Sequence, residues 1–298
     1  MTCLVSIRAK AELLLVMVTA IWGATFVIVK GALAEASPLP FIALRFTAAG
    51  LLLLLVLARG RVERAALVPG VVLGVFLFAG YAFQTWGLLY TTPSKSAFIT
   101  GSSVILVPLI MLFYGTPLRT PSLAGAAFGL AGIYILVAPS GSGGSGITGV
   151  NRGDIFTLFG AASFAVHIAL VGRYTRRIPF RSLVPVQILA VGVLAAATLP
   201  AAPNFRWRWT AGLAVALAVT ALLATAVAFT VQNWAQQYTP PAHTALIFVL
   251  EPVFAALTSR FALGERLGVG VLAGAGLILA GMVVSEFWGG AAPSAVES

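Results

Sequence analysis

Residues 83–93 read FQTWGLLYTTP, and residues 231–241 read VQNWAQQYTPP. Gln84, Trp86, Tyr90, Thr91 and Pro93 fall on Gln232, Trp234, Tyr238, Thr239 and Pro241 at one offset, 148. Two further matches keep the same order. LAGA from Leu123 falls on LAGA from Leu272 at offset 149; Glu12 and Trp22 fall on Asp154 and Phe164 at offset 142. Shared apolar composition explains one such match, not three in order, so the chain is an internal repeat.

What repeats is a set of membrane spans. A spanning helix needs about 20 mostly apolar residues. Ten segments reach or approach that length: 11–33, 40–58, 67–91, 95–114, 121–138, 154–173, 181–200, 211–235, 243–262 and 268–288. Prolines and glycines punctuate the breaks, at Ser37-Pro38-Leu39-Pro40, Thr116-Pro117, 200–203 and Pro240-Pro241. Each half holds five spans, an odd number, so the second half enters the membrane from the opposite side. Inverted repeats of this kind place a substrate site near the midplane where the halves meet. The expected fold is an all-α polytopic membrane protein with ten transmembrane helices as two inverted five-helix repeats, 1–139 and 153–290. A Gly/Ser-rich linker, 140–152, joins them, and a tail, 291–298, follows.

Composition excludes other classes. Of 298 residues, 60% are hydrophobic and 9% charged, against about 25% charged in soluble domains. The net charge of +10 sits in short loops without a basic face, so nucleic acid is not an expected partner; the charge is topogenic. With the N-terminus inside, ten basic residues fall on the inner side and seven on the outer. The early loops and the Arg173–Arg181 cluster favour cytoplasmic termini in a bacterial inner (plasma) membrane. Cys3 is the single cysteine, leaving no internal disulfide and no Cys-based metal site. Ala34-Glu35-Ala36 looks like a signal-peptidase site, but its apolar core is too long for a signal and has a repeat partner. The segment is therefore read as the first span. No phosphate-binding G-x-x-x-x-G-K-[ST] is present, and neither a nucleophile–base pair nor a metal cluster is in evidence. An enzyme is not expected, nor a cofactor or a metal.

Several polar and helix-breaking residues fall inside the spans. Ionisable groups there cost at least ~2.5 kcal/mol and are functional candidates by default. Tyr81, Gln84, Thr85 and Leu88 share one helical face; Gln232 and Gln236 share another, with Asn233 and Gln237 beside it. Trp22 is placed deep enough to wall a cavity, and Thr25 lies opposite His167 in the repeat. Ser102 falls in Gly101-Ser102-Ser103. The expected substrate-binding set is thus Trp22, Thr25, Tyr81, Gln84, Thr85, Ser102, His167, Gln232 and Asn233.

Pro108 and Pro252 each free a carbonyl one turn earlier. With Glu251, they are the expected hinge or gate. Ala97 to Pro108 is longer than Ala245 to Pro252, which predicts an extra helical turn in the first half and an asymmetric pocket. Arg45, whose repeat partner is Gln187, is expected to anchor at the outer interface, and Lys95 to snorkel or sit at a pore mouth. Trp86, Trp234, Tyr90 and Tyr238 suit an interfacial aromatic belt. Gly125-x-x-x-Gly129 and Gly270-x-x-x-Gly274 mark scaffold helices packed against the core or a second copy, in a monomer or weak homodimer.

These residues carry a resemblance. Ile21-Trp22-Gly23-Ala24-Thr25-Phe26, Arg45, Leu250-Glu251-Pro252 and Gly264-Glu265 resemble the drug/metabolite transporter superfamily, EamA type, over nearly the whole chain. Within it the chain looks most like bacterial amino-acid exporters, including those for aromatic amino acids. The resemblance implies a secondary transporter or facilitator working by alternating access on a small-molecule substrate. The alternative is an exporter of drugs or other organic solutes by proton antiport. One departure is that Gly264-Glu265 is Gly115-Thr116 in the first half.

Overall fold

Apolar runs cut by proline and glycine fold as helices throughout the described residues. The computed structural model describes residues 2–116, 120–137, 151–201, 205–265 and 268–287. Of the linker it describes Asn151 and Arg152, where a helix begins; the tail 291–298, Arg119 and Arg266 lie outside the described residues.

The first half comprises α1 (Thr2–Ala32), α2 (Pro38–Val56), α3 (Leu67–Tyr90), α4 (Pro93–Thr100), α5 (Ser103–Leu112) and α6 (Thr120–Val137). The second comprises α7 (Arg152–Tyr174), α8 (Phe180–Thr198), α9 (Ala211–Ala221), α10 (Ala228–Ala235), α11 (Pro241–Phe248), α12 (Glu251–Leu263) and α13 (Val269–Phe287). Eight described segments, of 19 to 27 residues, are long and apolar enough to span. With α6 and α13 they make ten, because α4 with α5, α9 with α10, and α11 with α12 each form one interrupted span. Helix starts follow local chemistry. Pro38, Pro93 and Pro241 occupy first-turn positions that need no N–H donor. Asn151 and Asp154 form a reciprocal capping box at α7.

The pseudo-two-fold between halves is visible in packing. α2 crosses α8 at Gly50 and Gly192, positions related by 142. A Cβ on Gly50 would meet the Leu189 side chain at 2.7 Å, and one on Gly192 the Thr47 hydroxyl at 2.5 Å. The expected scaffold helices pack on each other: a Cβ on Gly281 of α13 would lie 2.6 Å from the Gly125 carbonyl of α6. Backbones also meet between α3 and α7, where a Cβ on Gly153 would sit 2.5 Å from the Gly87 carbonyl. Without a hydrophobic force between helices in lipid, such close approaches are what hold the bundle.

The interrupted fourth and ninth spans correct the sequence reading. Pro108 lies inside α5, and the break falls at Gly101-Ser102 instead. Its counterpart is Val249-Leu250, at offset 148. The hydrogen bonds match residue for residue: Ser102 N donates to Ile99 O and Ile105 N to Ser102 O, as Leu250 N does to Ile247 O and Val253 N to Leu250 O. The breaks are therefore in register, and there is no extra turn in the first half. Pro108 stands opposite Ala256, and Pro252 opposite Val104. Val104 N bonds back three residues, to Gly101 O at 3.2 Å, so a helical i−4 partner is already given up there. Proline at the matching site loses little.

Candidate functional site

Around those breaks lies a cavity of about 740 Å³, counted out to its mouth. Its wall is built from repeat-related pairs. Trp22 with Phe164, Thr25 with His167, and Phe26 with Ile168 come from α1 and α7; Tyr81 with Phe229 and Gln84 with Gln232 come from α3 and α10. Thr100 with Phe248 and Ser103 with Glu251 flank the two breaks. The cavity thus straddles the pseudo-two-fold axis; the two halves contribute many of the same positions, identical at Gln84 and Gln232 and different in residue type at the other pairs.

Of the residues expected to bind substrate, Trp22, Thr25, Tyr81, Gln84, Thr85, His167 and Gln232 line this cavity. Ser102 and Asn233 are buried outside its lining. Ser102 sits in the break with its hydroxyl unpartnered. Asn233 donates to Phe229 O at 2.9 Å and accepts from Gln187 at 3.0 Å. Of the expected hinge, Glu251 is in the wall, Pro252 is the next residue of α12, and Pro108 lies in α5 beyond the lining.

Two features escaped the sequence. Arg45 is not at an interface: only 4% exposed, it reaches the cavity wall. Its Nε donates to Thr225 Oγ1 at 2.8 Å, and its guanidinium lies 4.9 Å from the Tyr81 ring centre and 5.0 Å from that of Phe46. The second is the acceptor's setting, one turn of π-helix, Leu222–Val227. Its Thr225 hydroxyl bonds back five residues to Thr220 O at 2.8 Å. The Trp22 indole N–H donates to Ala224 O at 2.9 Å in the same turn. π turns concentrate at functional sites because they free backbone groups and re-aim side chains. Here one turn orients both the deep cation and the deep tryptophan.

The rest of the wall divides into rings and amides. Trp22 packs against Phe229 and Phe248 with centres 5.3 and 5.1 Å apart, and Tyr81 packs edge-on to Phe164 at 5.2 Å. Gln84 donates to Thr100 Oγ1 at 3.1 Å. His167 Nε2 donates to Gln187 Oε1 at 2.7 Å, and Gln187 in turn to Asn233. Gln232 donates to Gln236, yet its own carbonyl oxygen has no partner. No ion pair among the described residues includes Arg45 or Glu251; both side chains are in the cavity wall.

At one end of the bundle, Lys95 is buried against Asp154 at 2.7 Å, so it neither snorkels nor faces a mouth. Lys30 donates to the carbonyls of Leu88 and of Thr91, the latter at 3.1 Å. Glu265, the acid without a repeat partner, accepts from Ser94 at 2.9 Å and from Ser259. At the other end Glu12 binds His243 at 3.2 Å. Tyr90 and Tyr238 are exposed at repeat-related positions, as an interfacial belt requires.

A ten-helix inverted repeat around a lined central cavity defines a membrane transporter. Residues 9–138 and 151–287 each match the EamA-like transporter family, and the chain belongs to it. It is 36% identical over 278 residues to an uncharacterized transporter of Archaeoglobus fulgidus, covering 93% of this chain and 86% of that one. To the uncharacterized transporter YvbV of Bacillus subtilis it is 26% identical, covering 91% and 90%. To the uncharacterized inner membrane transporter YedA of Escherichia coli it is 30% identical, covering 58% and 56%. A solved crystal structure with 21% identity superposes with a TM-score of 0.72 over 94% of this chain and 98% of that one, which bears on the fold alone.

Proposed function

We propose that the protein is a secondary transporter that exports amino acids, those with aromatic side chains above all, by alternating access. The carrying observation is the pair of ionisable side chains without an ionic partner among the described residues, Arg45 and Glu251, in the wall of one aromatic cavity. A charge kept in a span without an ionic partner costs free energy, which a solute bearing the opposite charge would recover. A zwitterion satisfies both: its carboxylate meets Arg45 with charge-assisted hydrogen bonds, while its ammonium meets Glu251 and the open Gln232 oxygen. Trp22, Phe229 and Phe248 receive the side chain. Both termini then face the cytoplasm of a bacterial cell, in keeping with the loop charges.

Uptake into proteoliposomes by counterflow tests this. Labelled phenylalanine and tryptophan should exchange, and phenethylamine and 3-phenylpropionate, each lacking one charge, should exchange at least about tenfold more slowly, as loss of ~1.4 kcal/mol implies. No exchange of any amino acid removes the substrate assignment. Glu251 supports a second reading, an organic cation exchanged for a proton; faster exchange of phenethylamine than phenylalanine, driven by an imposed pH gradient, would select it.

A further inference from the structure

Four residues at the two ends of the bundle are related by the repeat that builds the cavity. Lys95 plus 148 is His243, and Asp154 less 142 is Glu12. The two ion pairs, Lys95–Asp154 and His243–Glu12, therefore join the same two positions at opposite ends. Two hydroxyls follow the pattern, Thr91 with Thr239 and Ser96 with Thr244.

The two ends differ in how completely these contacts are made. At the first, Lys95 and Asp154 are 1% and 4% exposed and 2.7 Å apart. Thr91 donates to Asp154 Oδ1 at 3.0 Å, the Asn151 amide to Oδ2 at 2.9 Å, and the Ser96 and Thr157 hydroxyls lie 3.3 Å apart. At the second, His243 and Glu12 are 18% and 32% exposed and 3.2 Å apart, and Arg8 shares the same Glu12 oxygen at 2.8 Å. The Thr239 and Thr244 hydroxyls are buried and make no hydrogen bond. Buried hydroxyls ordinarily find partners. With its ion pair made but two hydroxyls orphaned where their twins are bonded, this copy of the latch is only partly made.

We propose that these pairs are the two gates of the transport cycle: one latch built twice, with the Lys95 copy closed here and the His243 copy closing when it opens. This rests on alternating access. In the opposite state Thr239 reaches Glu12 as Thr91 now reaches Asp154. Thr244 gains less, because the twin of Thr157 is Leu15. The copies are unequal in chemistry as well: Lys95 brings an ammonium on a flexible stem, whereas His243 brings an imidazole that pairs with Glu12 as an ion only when protonated. The protein accordingly rests with its Lys95 end shut.

The test needs no substrate. In a Cys3→Ser background, Val29→Cys places a thiol in the cavity wall one residue before Lys30, and a membrane-impermeant maleimide reports access from the Lys95 end. Labelling should be slow in otherwise unaltered protein. It should rise about tenfold with Asp154→Asn, which breaks the closed latch, and comparably with His243→Lys, which gives the far latch a permanent cation. Thr91→Val serves should Asp154→Asn fail to fold, with a smaller rise. A rise with Asp154→Asn or Thr91→Val but none with His243→Lys overturns the proposal, because the contact would then be a local seal. No rise with any of them overturns it too. A protein that labels as described yet exchanges no amino acid loses only its substrate assignment.

Discussion

α3 and the eighth span occupy equivalent places in the two halves, and they differ by one turn of backbone. α3 is regular from Leu67 to Tyr90, whereas the eighth span passes through a π turn at Leu222–Val227. At the position of Leu77 in α3 stands Thr225, which holds Arg45; at the position of Phe76 stands Ala224, whose carbonyl holds the Trp22 indole. The asymmetry of the cavity therefore comes from the backbone of the eighth span rather than from spacing around Pro108. A symmetric scaffold acquires a polar pole and an aromatic pole by loosening one helix once.

The largest effect should come from removing what the π turn holds. Arg45→Gln deletes the cavity's cation and its charged hydrogen bonds, worth about 1.5–3 kcal/mol each. Amino-acid exchange should fall roughly 10- to 150-fold, with little change in the exchange of phenethylamine, which has no carboxylate to lose. Equal loss for both solutes would mean that Arg45 only shapes the wall. Trp22→Phe should come next. It keeps an aromatic ring but orphans the Ala224 carbonyl, costing about 1–3 kcal/mol, and would be read as a lower melting temperature in detergent. If that temperature is unmoved, the π turn does not depend on the indole.

How much of this the sequence disclosed depends on which residues carried the information. The spans, their number and the inverted repeat were legible because lipid demands long apolar runs and because Gln84-x-Trp86 recurs at Gln232-x-Trp234. The cavity face on α3 was legible from helical spacing. The breaks were not: Gly101-Ser102 and Val249-Leu250 share no letters, and matching proline to proline set Pro108 against Pro252, four residues out of register. Leu222–Val227 reads LLATAV, like any apolar helix, so neither the π turn nor the depth of Arg45 could be read off. A cation eight residues into a span fits an interface as well as a cavity until packing against the eighth span places it. Lys95 and His243 differ in residue type, which hid the twin ion pairs, although Glu12 and Asp154 were already aligned.

Thr225→Val should have a smaller effect than either. It removes the acceptor of Arg45 Nε, a contact between helices, and the bond to Thr220 O within the span. An interhelical bond in a membrane is worth about 0.6 kcal/mol, so exchange should drop only a few-fold. Restoring regular α-helix, visible as faster hydrogen exchange lost at 222–227, would show that Thr225 also sets the turn. An unchanged exchange rate would place the whole effect of Arg45 on its charge.

The smallest effect concerns how the two spans begin. Ahead of α3, the Glu63 amide donates to Ser182 Oγ at 3.3 Å. The eighth span is approached by a strand-like segment in which Trp207 bridges Ala36, and Arg206 Nη2 donates to Leu33 O at 2.7 Å. Arg208 grips Glu35 through two bonds of 2.6 and 2.8 Å. The hydrogen bond from Arg208 holds the Glu35 carboxyl below its ordinary value of 4.5; desolvation opposes it, and the charges of Arg208 and Arg206 add to the lowering. A depressed acid stabilises the fold above its unfolded pKa and loses that contribution as pH falls through the folded one. Thermal stability should therefore differ between wild type and Glu35→Gln at pH 7, keep that difference to about pH 5, and converge below the ordinary carboxylate range. The site is exposed and screened, so the gap should be slight. A gap that persists at pH 3 would assign the stability to the Ala36–Trp207 bridge, and the pinned start of the eighth span would then owe nothing to charge.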